Sequence, residues 1–365
     1  TNLGLGAVFT QAEAVAYLNS NLSNLGGAMT AVATATLNYV SDPSFAKNAE
    51  MLAAKTAWTN TATGALNYSS NAANTSSSAL TGAVSSGGQT LTLTTGTDNF
   101  NPTSAVAGMK TTDGNDIFRA VTSGELTSAD VINGGGGTDT LNAVQTGATA
   151  GVTVKPLLTS VEVVNFTVNS GATDSNTATL DLGDSTGVTE VVLKDALSVN
   201  HASNTLGVTF NNVASGVKVG ISGGVKGSSA GVAADLTVGV KDAATNTADA
   251  LTINLKDALA NTVTAANIET ITLSNSNTTA TATSTIAALT ADKVKTLNID
   301  GSGTLTVTAL TGTGATLTNL NIAGSGKNTI TTATATQTAL KTIDASTATG
   351  ANTVVISGTA IANRS

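Results

Sequence analysis

The residues best placed to do chemistry are aspartates and asparagines set among glycines between Asp98 and Asn142. At their centre, Gly134-Gly135-Gly136-Gly137-Thr138-Asp139-Thr140-Leu141-Asn142 fits the calcium-binding nonapeptide G-G-x-G-x-D-x-U-x at every specified position. Calcium takes six to eight hard oxygen ligands in flexible geometry, and a tight turn can aim carbonyls inward beside a carboxylate. Glycine reaches the left-handed conformations such a turn needs, and Leu141 buries the half-strand that comes after it. The unit recurs. Asp130-Val131-Ile132 repeats D-x-U nine residues earlier (139 − 130 = 9). Gly114-Asn115-Asp116-Ile117-Phe118 and Gly96-Thr97-Asp98-Asn99-Phe100 repeat G-x-D-x-U eighteen residues apart (116 − 98 = 18). The stretch from Asp116 to Asp130 breaks the period, so the expectation is a short, degenerate calcium-binding segment.

Other chemistry has little to work with. Cysteine is absent, which excludes disulfides, zinc thiolates and thiol nucleophiles. The one histidine, His201, has no companion acid motif nearby, whereas a triad needs two further placed partners. Gly324-Ser325-Gly326-Lys327-Asn328-Thr329 resembles a phosphate loop, but Asn328 stands where Ser or Thr is needed and the segment repeats an earlier turn. Glu162, Glu190 and Glu269 each open an apolar strand, while Asp300 and Asp344 close one; solvated corners are the expected positions. A polysaccharide lyase would want clustered acids with Arg or Lys and aromatic platforms. Two arginines and 3% aromatic residues supply neither, so no enzyme is expected.

The elements that must position these residues are β-strands. Hydrophobic residues make up 41% of the 365, yet they are mostly Ala, Val, Ile and Leu, mixed with Thr, Ser, Asn and 37 Gly. That suits thin, stacked β-structure better than a bulky core. Leu297-Asn298-Ile299-Asp300-Gly301-Ser302-Gly303 recurs as Leu320-Asn321-Ile322-Ala323-Gly324-Ser325-Gly326 and weakly as Ile343-Asp344-Ala345-Ser346, at spacings of 23 and 23 (320 − 297, 343 − 320). A rung of that length cannot bury its own apolar face, so rungs stack. Leucine-rich repeats have the length but not this signature. The expected class is mainly β with a small helical N-terminal part: a Thr/Gly-rich parallel β-helix, or β-solenoid, carrying the calcium turns. A β-sandwich array is the alternative.

In chain order, residues 1–75 read as helical, with the capping box Thr10-Gln11-Ala12-Glu13 and Val15, Leu18, Leu22 and Leu25 on one face. Residues 76–88 form a linker, 89–170 the calcium-binding segment and 171–365 the solenoid. The net charge of −8 disfavours nucleic acid and anionic membrane as partners and suits divalent cations. Charged residues are only 10%, sparse for a soluble monomer and expected of a protein that assembles with itself. No apolar run is long enough to span a membrane. The chain begins without Met or a signal peptide, consistent with a processed or truncated product and with export that needs no N-terminal signal.

From Gly88 to Glu162 the chain resembles the calcium-dependent surface-layer proteins that Gram-negative bacteria export by type I secretion. The resemblance rests on Leu91-Thr92-Leu93-Thr94-Thr95-Gly96-Thr97-Asp98, the Gly114-Asn115-Asp116 turn, the Gly134-to-Leu141 nonapeptide, and Ser160-Val161-Glu162-Val163-Val164-Asn165. Asp42-Pro43-Ser44-Phe45-Ala46-Lys47 and its surroundings also resemble the helical region through which that family attaches to lipopolysaccharide. The resemblance implies a secreted cell-surface subunit, helices toward the cell, and a calcium-bound solenoid forming a two-dimensional lattice. It carries ligand roles to Asp98, Asp113, Asn115, Asp116, Asp130, Gly134, Gly135, Gly137, Asp139 and Glu162. The alternative expectation is a secreted adhesin or binding module that displays a solenoid surface.

Overall fold

The computed structural model describes residues 87–106, 108–169, 176–194, 206–223, 234–277, 282–313, 315–332 and 337–356. The helical stretch expected over 1–75 and nearly all of the linker lie outside these residues. The chain divides into two compact units, one of Thr1–Gly88 with Thr112–Gly114, the other of Gln89–Thr111 with Asn115–Ser365. All the described strands belong to the second unit.

In chain order they are β1 (Thr90–Thr92), β2 (Asn99–Phe100), β3 (Ile117–Ala120), β4 (Val131–Asn133), β5 (Thr140–Thr146), β6 (Val152–Val154), β7 (Leu157–Thr159) and β8 (Val163–Asn169). Then come β9 (Asn176–Asp181), β10 (Glu190–Lys194), β11 (Leu206–Val213), β12 (Lys218–Ser222), β13 (Ala234–Val240), β14 (Ala250–Lys256), β15 (Leu259–Ala265) and β16 (Thr270–Asn275). The last are β17 (Thr283–Thr290), β18 (Thr296–Gly301), β19 (Thr304–Thr311), β20 (Asn319–Gly324), β21 (Asn328–Thr332), β22 (Thr342–Ala348) and β23 (Asn352–Val355).

These strands coil into a parallel β-solenoid of about nine turns. One sheet has eleven strands in the order β1-β3-β5-β8-β10-β12-β14-β16-β18-β20-β22, a second has nine in the order β23-β21-β19-β17-β15-β13-β11-β9-β6, and β2-β4-β7 make a third at the N-terminal rungs. The β-sandwich alternative is thereby set aside. A parallel ladder stacks like positions on like positions, so each rung covers the apolar face its neighbour cannot cover alone. Leu251, Ile271, Leu297, Leu320 and Ile343 form one inward column through successive registers of the eleven-stranded sheet. Four phenylalanines thicken the core near its start: Phe100 packs on Phe118 at 5.5 Å between ring centroids, and Phe166 on Phe210 at 6.2 Å.

The 23-residue period reports real rungs. Thr296 pairs with Asn319 and Asn319 with Thr342, which gives 319 − 296 = 23 and 342 − 319 = 23. The same step joins Ile117, Thr140 and Val163 (140 − 117 = 23, 163 − 140 = 23). Elsewhere the rung stretches, as from Val219 to Ile253 (253 − 219 = 34), or shortens, as from Ala250 to Thr270 (270 − 250 = 20). Loops absorb the difference, which is why a fixed period is visible in only part of the chain.

The phosphate-loop look-alike is a rung turn. Gly326 N donates to Gly301 O at 3.0 Å, stacking Gly324-Ser325-Gly326 on Gly301-Ser302-Gly303. Gly301 has φ +116°, and a Cβ there would strike the carbonyl of Asn275 on the rung before it, so the turn demands glycine. On the outer face of the nine-stranded sheet, Thr153, Thr179, Thr209, Thr237, Thr264, Thr290 and Thr311 fall in one unbroken row. The hydroxyls of Thr290 and Thr311 hydrogen-bond at 2.6 Å.

Candidate metal centre

Each D-x-U unit begins a strand. Asp98 precedes β2, Asp116 precedes β3, Asp130 precedes β4 and Asp139 precedes β5, so successive units alternate between the three-stranded and eleven-stranded sheets. The nine-residue step from Asp130 to Asp139 carries the chain around one corner. The apolar residue two places on is buried every time: Phe100, Phe118, Ile132 and Leu141 are all at most 1% exposed. The irregular stretch before Asp130 is a loop whose turn is closed by Glu125, which accepts from Thr122 N at 3.0 Å, and whose Leu126 is buried.

The aspartates themselves form two axial columns. In one, Asp116 Oδ1 accepts from Gln89 N at 2.6 Å, Asp139 Oδ1 from Asp116 N at 2.6 Å, and Glu162 Oε2 from Asp139 N at 2.7 Å. Their spacing is again one rung (139 − 116 = 23, 162 − 139 = 23). In the other, Asp130 Oδ1 accepts from Asp98 N at 2.9 Å and its Oδ2 from Thr127 N at 2.7 Å, while Asp98 Oδ2 accepts from Thr94 N at 2.7 Å. These carboxylates satisfy amides at corners where the sheet ladder has ended, a role any buried N–H requires of something.

The remaining predicted residues fall around the first column, with one exception. Asn115 Oδ1 accepts from Thr138 N at 2.8 Å, tying one rung's turn to the next. Gly135 and Gly137 have φ of +92° and +103°, and Gly135 N donates to Asn133 Oδ1 at 3.0 Å. Gly134 lies against Asp139: a Cβ on it would collide with the Asp139 carboxylate and with Ser160 O. The exception is Asp113, which falls on Thr112–Gly114 in the first compact unit; there Gly114 N donates to Thr112 Oγ1 at 3.1 Å.

Asp139 is the unusual member of its column. It is fully buried, and its Oδ2 has no hydrogen-bond partner. Burial pushes its pKa up to about 6, with the nearby Asp116 and Glu162 charges adding to the rise and the hydrogen bond from Asp116 N opposing it. Asp130 is also raised, chiefly by burial. Among the described residues no three or more His, Cys, Asp or Glu side chains converge as a metal-binding group; the acids are strung along the axis instead. The donor set around Asp139 is nevertheless all oxygen: an orphaned carboxylate oxygen, the Glu162 carboxylate on the next rung and the nearby Ser160 carbonyl. That chemistry fits a hard cation and no soft one.

Sequence reasoning missed one construction of this kind. Asp249 N donates to Glu269 Oε2 at 2.9 Å, and Asp249 Oδ2 is buried without a partner. The pattern was present as Asp249-Ala250-Leu251 and Glu269-Thr270-Ile271, D-x-U and E-x-U one rung apart, but without glycines to draw the eye. Glu190, read as a solvated corner, instead reaches along the sheet to accept from Asn254 Nδ2 at 2.8 Å. No family model, curated protein or solved structure matches this chain.

Proposed function

We propose that the chain is a structural subunit of a calcium-stabilised extracellular surface layer, self-assembling into a two-dimensional lattice on a Gram-negative cell. One observation carries the calcium part of this reading. The column Asp116–Asp139–Glu162 stacks carboxylates one rung apart around a buried oxygen that no protein donor reaches. Leaving a buried carboxylate oxygen bare is costly, and a cation from solvent removes that cost. Asp139 and Glu162 would hold the ion, with the Ser160 carbonyl beside them, and Gly134 keeps the space free of a side chain. When bound, the ion supplies charge neutralisation and a link between rungs; folding would then depend on calcium concentration, because a ligand of the folded state alone stabilises it by mass action.

Assembly is supported by the sparse charge and by the flat, uncharged threonine row on the nine-stranded sheet. That row offers another copy a neutral, hydrogen-bonding strip, with Asp181 and Asp235 as the acids on the same sheet. Export by type I secretion and attachment to lipopolysaccharide through residues 1–75 rest on the family resemblance alone. Among the described residues no helix is long and apolar enough to cross a membrane.

The test is a calcium titration of the full chain, monitored by circular dichroism and electron microscopy. Gain of β-structure with ordered sheets, reversed by chelator and weakened in Asp139→Ala, is the expected result. Folding with calcium but no assembly would favour the adhesin reading. A chain that stays folded and monomeric across millimolar calcium would overturn the proposal.

A further inference from the structure

The orphaned construction at Asp139 occurs a second time, at a place where the sequence carries no glycine-rich nonapeptide. At both corners an aspartate donates its backbone N–H to Oε2 of a glutamate one rung further on, and at both the aspartate's own Oδ2 is buried without a partner. Asp249 is only 5% exposed, and its Oδ1 is held by Asn246 Nδ2 at 3.3 Å, so the bare oxygen is fixed in place. Its backbone carbonyl is already used, accepting from Glu269 N at 3.2 Å and Thr270 N at 3.0 Å. No ion pair among the described residues neutralises Asp249 or Glu269, although Lys295 lies on the next rung.

We propose that Asp249 and Glu269 form a binding site for a hard divalent cation of the calcium class. The two carboxylates offer only hard oxygen ligands, which disfavours thiophilic metals. Glu269 is half-buried, so solvent reaches the corner and water completes a shell that calcium tolerates in irregular form. Bound there, the ion ties the rung of β14 to that of β16 in the middle of the later solenoid, far along the chain from Asp139. The site does not depend on surface-layer assembly.

The experiment uses the full chain with calcium chloride as the only probe. Calorimetric titration gives the number of ions bound, and melting in chelator and in calcium gives the stabilisation. Asp249→Asn and Glu269→Gln should each remove a calcium equivalent and shrink the calcium-induced rise in melting temperature, while Asp139→Asn leaves that equivalent in place. Glu269→Gln carries the test should Asp249→Asn fail to fold. An unchanged ion count in both variants overturns the site. If the count is unchanged and Asp249→Asn also melts higher in chelator, the bare oxygen is a cost to the fold that no ion removes. Loss of calcium binding in Asp139→Asn alone would leave the proposed function standing and this inference fallen.

Discussion

At the scale of single residues, the informative fact is that nearly every buried acid has a backbone amide to serve. An amide at a solenoid corner has left the sheet ladder, and a short carboxylate on the neighbouring rung is within reach of it. Asp139 does this with one oxygen and leaves the other bare, so its protonation is coupled to stability. Its folded pKa, about 6, lies above the ordinary value of 3.8. The folded chain therefore binds the proton more tightly than the unfolded chain does. The stabilisation this gives is complete below the unfolded value and is lost as pH rises through the folded one. In chelator, the urea midpoint of the wild type should fall between about pH 4 and pH 6.5. Asp139→Asn, which cannot ionise, should show a smaller fall over the same window. Equal falls in the two proteins would mean that Asp139 does not titrate there.

At the scale of elements, the strands are held by columns rather than by a single core centre. Each inward leucine meets its equivalents one rung above and below, and Leu297 sits between Ile271 and Leu320 in such a column. It is 1% exposed. Truncation removes contacts on both sides while the stacked backbones keep the gap open, so Leu297→Ala should cost about 2–5 kcal/mol. Because rungs interact only with neighbours, the loss should show in hydrogen exchange of β16, β18 and β20 before it shows in β3 or β5. Uniform loss of protection along the whole solenoid would contradict that picture and point to one cooperative unit.

At the scale of the whole molecule, the two large sheets present different outer faces. The eleven-stranded sheet carries charged outward residues such as Arg119, Glu190 and Lys218, whereas the nine-stranded sheet carries the threonine row. A chain with net charge −8 associates with itself most readily where it bears least charge. Replacing Thr237 and Thr264 together by Lys should suppress ordered sheets in electron micrographs while leaving circular dichroism unchanged, since both side chains project outward from the ladder. Normal sheets from that variant would move the contact to another face.

The parallel solenoid was legible before any folding was considered, because stacked rungs repeat the same inward positions and the 23-residue repeat is written in Leu297, Leu320 and Ile343. The strand starts were legible too, since an aspartate two places before a buried apolar residue is a local pattern. What each carboxylate touches is another matter and emerges only when the chain has coiled. Nine-residue spacing linked Asp130 to Asp139 in the sequence, but hydrogen bonding links Asp139 to Asp116 and Glu162, and Asp130 to Asp98. Those partners are set by rung length, and rung length varies with loops whose size no local signal fixes. The pair of Asp249 and Glu269 was hidden for the same reason: twenty residues apart (269 − 249 = 20), they meet only because the chain has completed one turn.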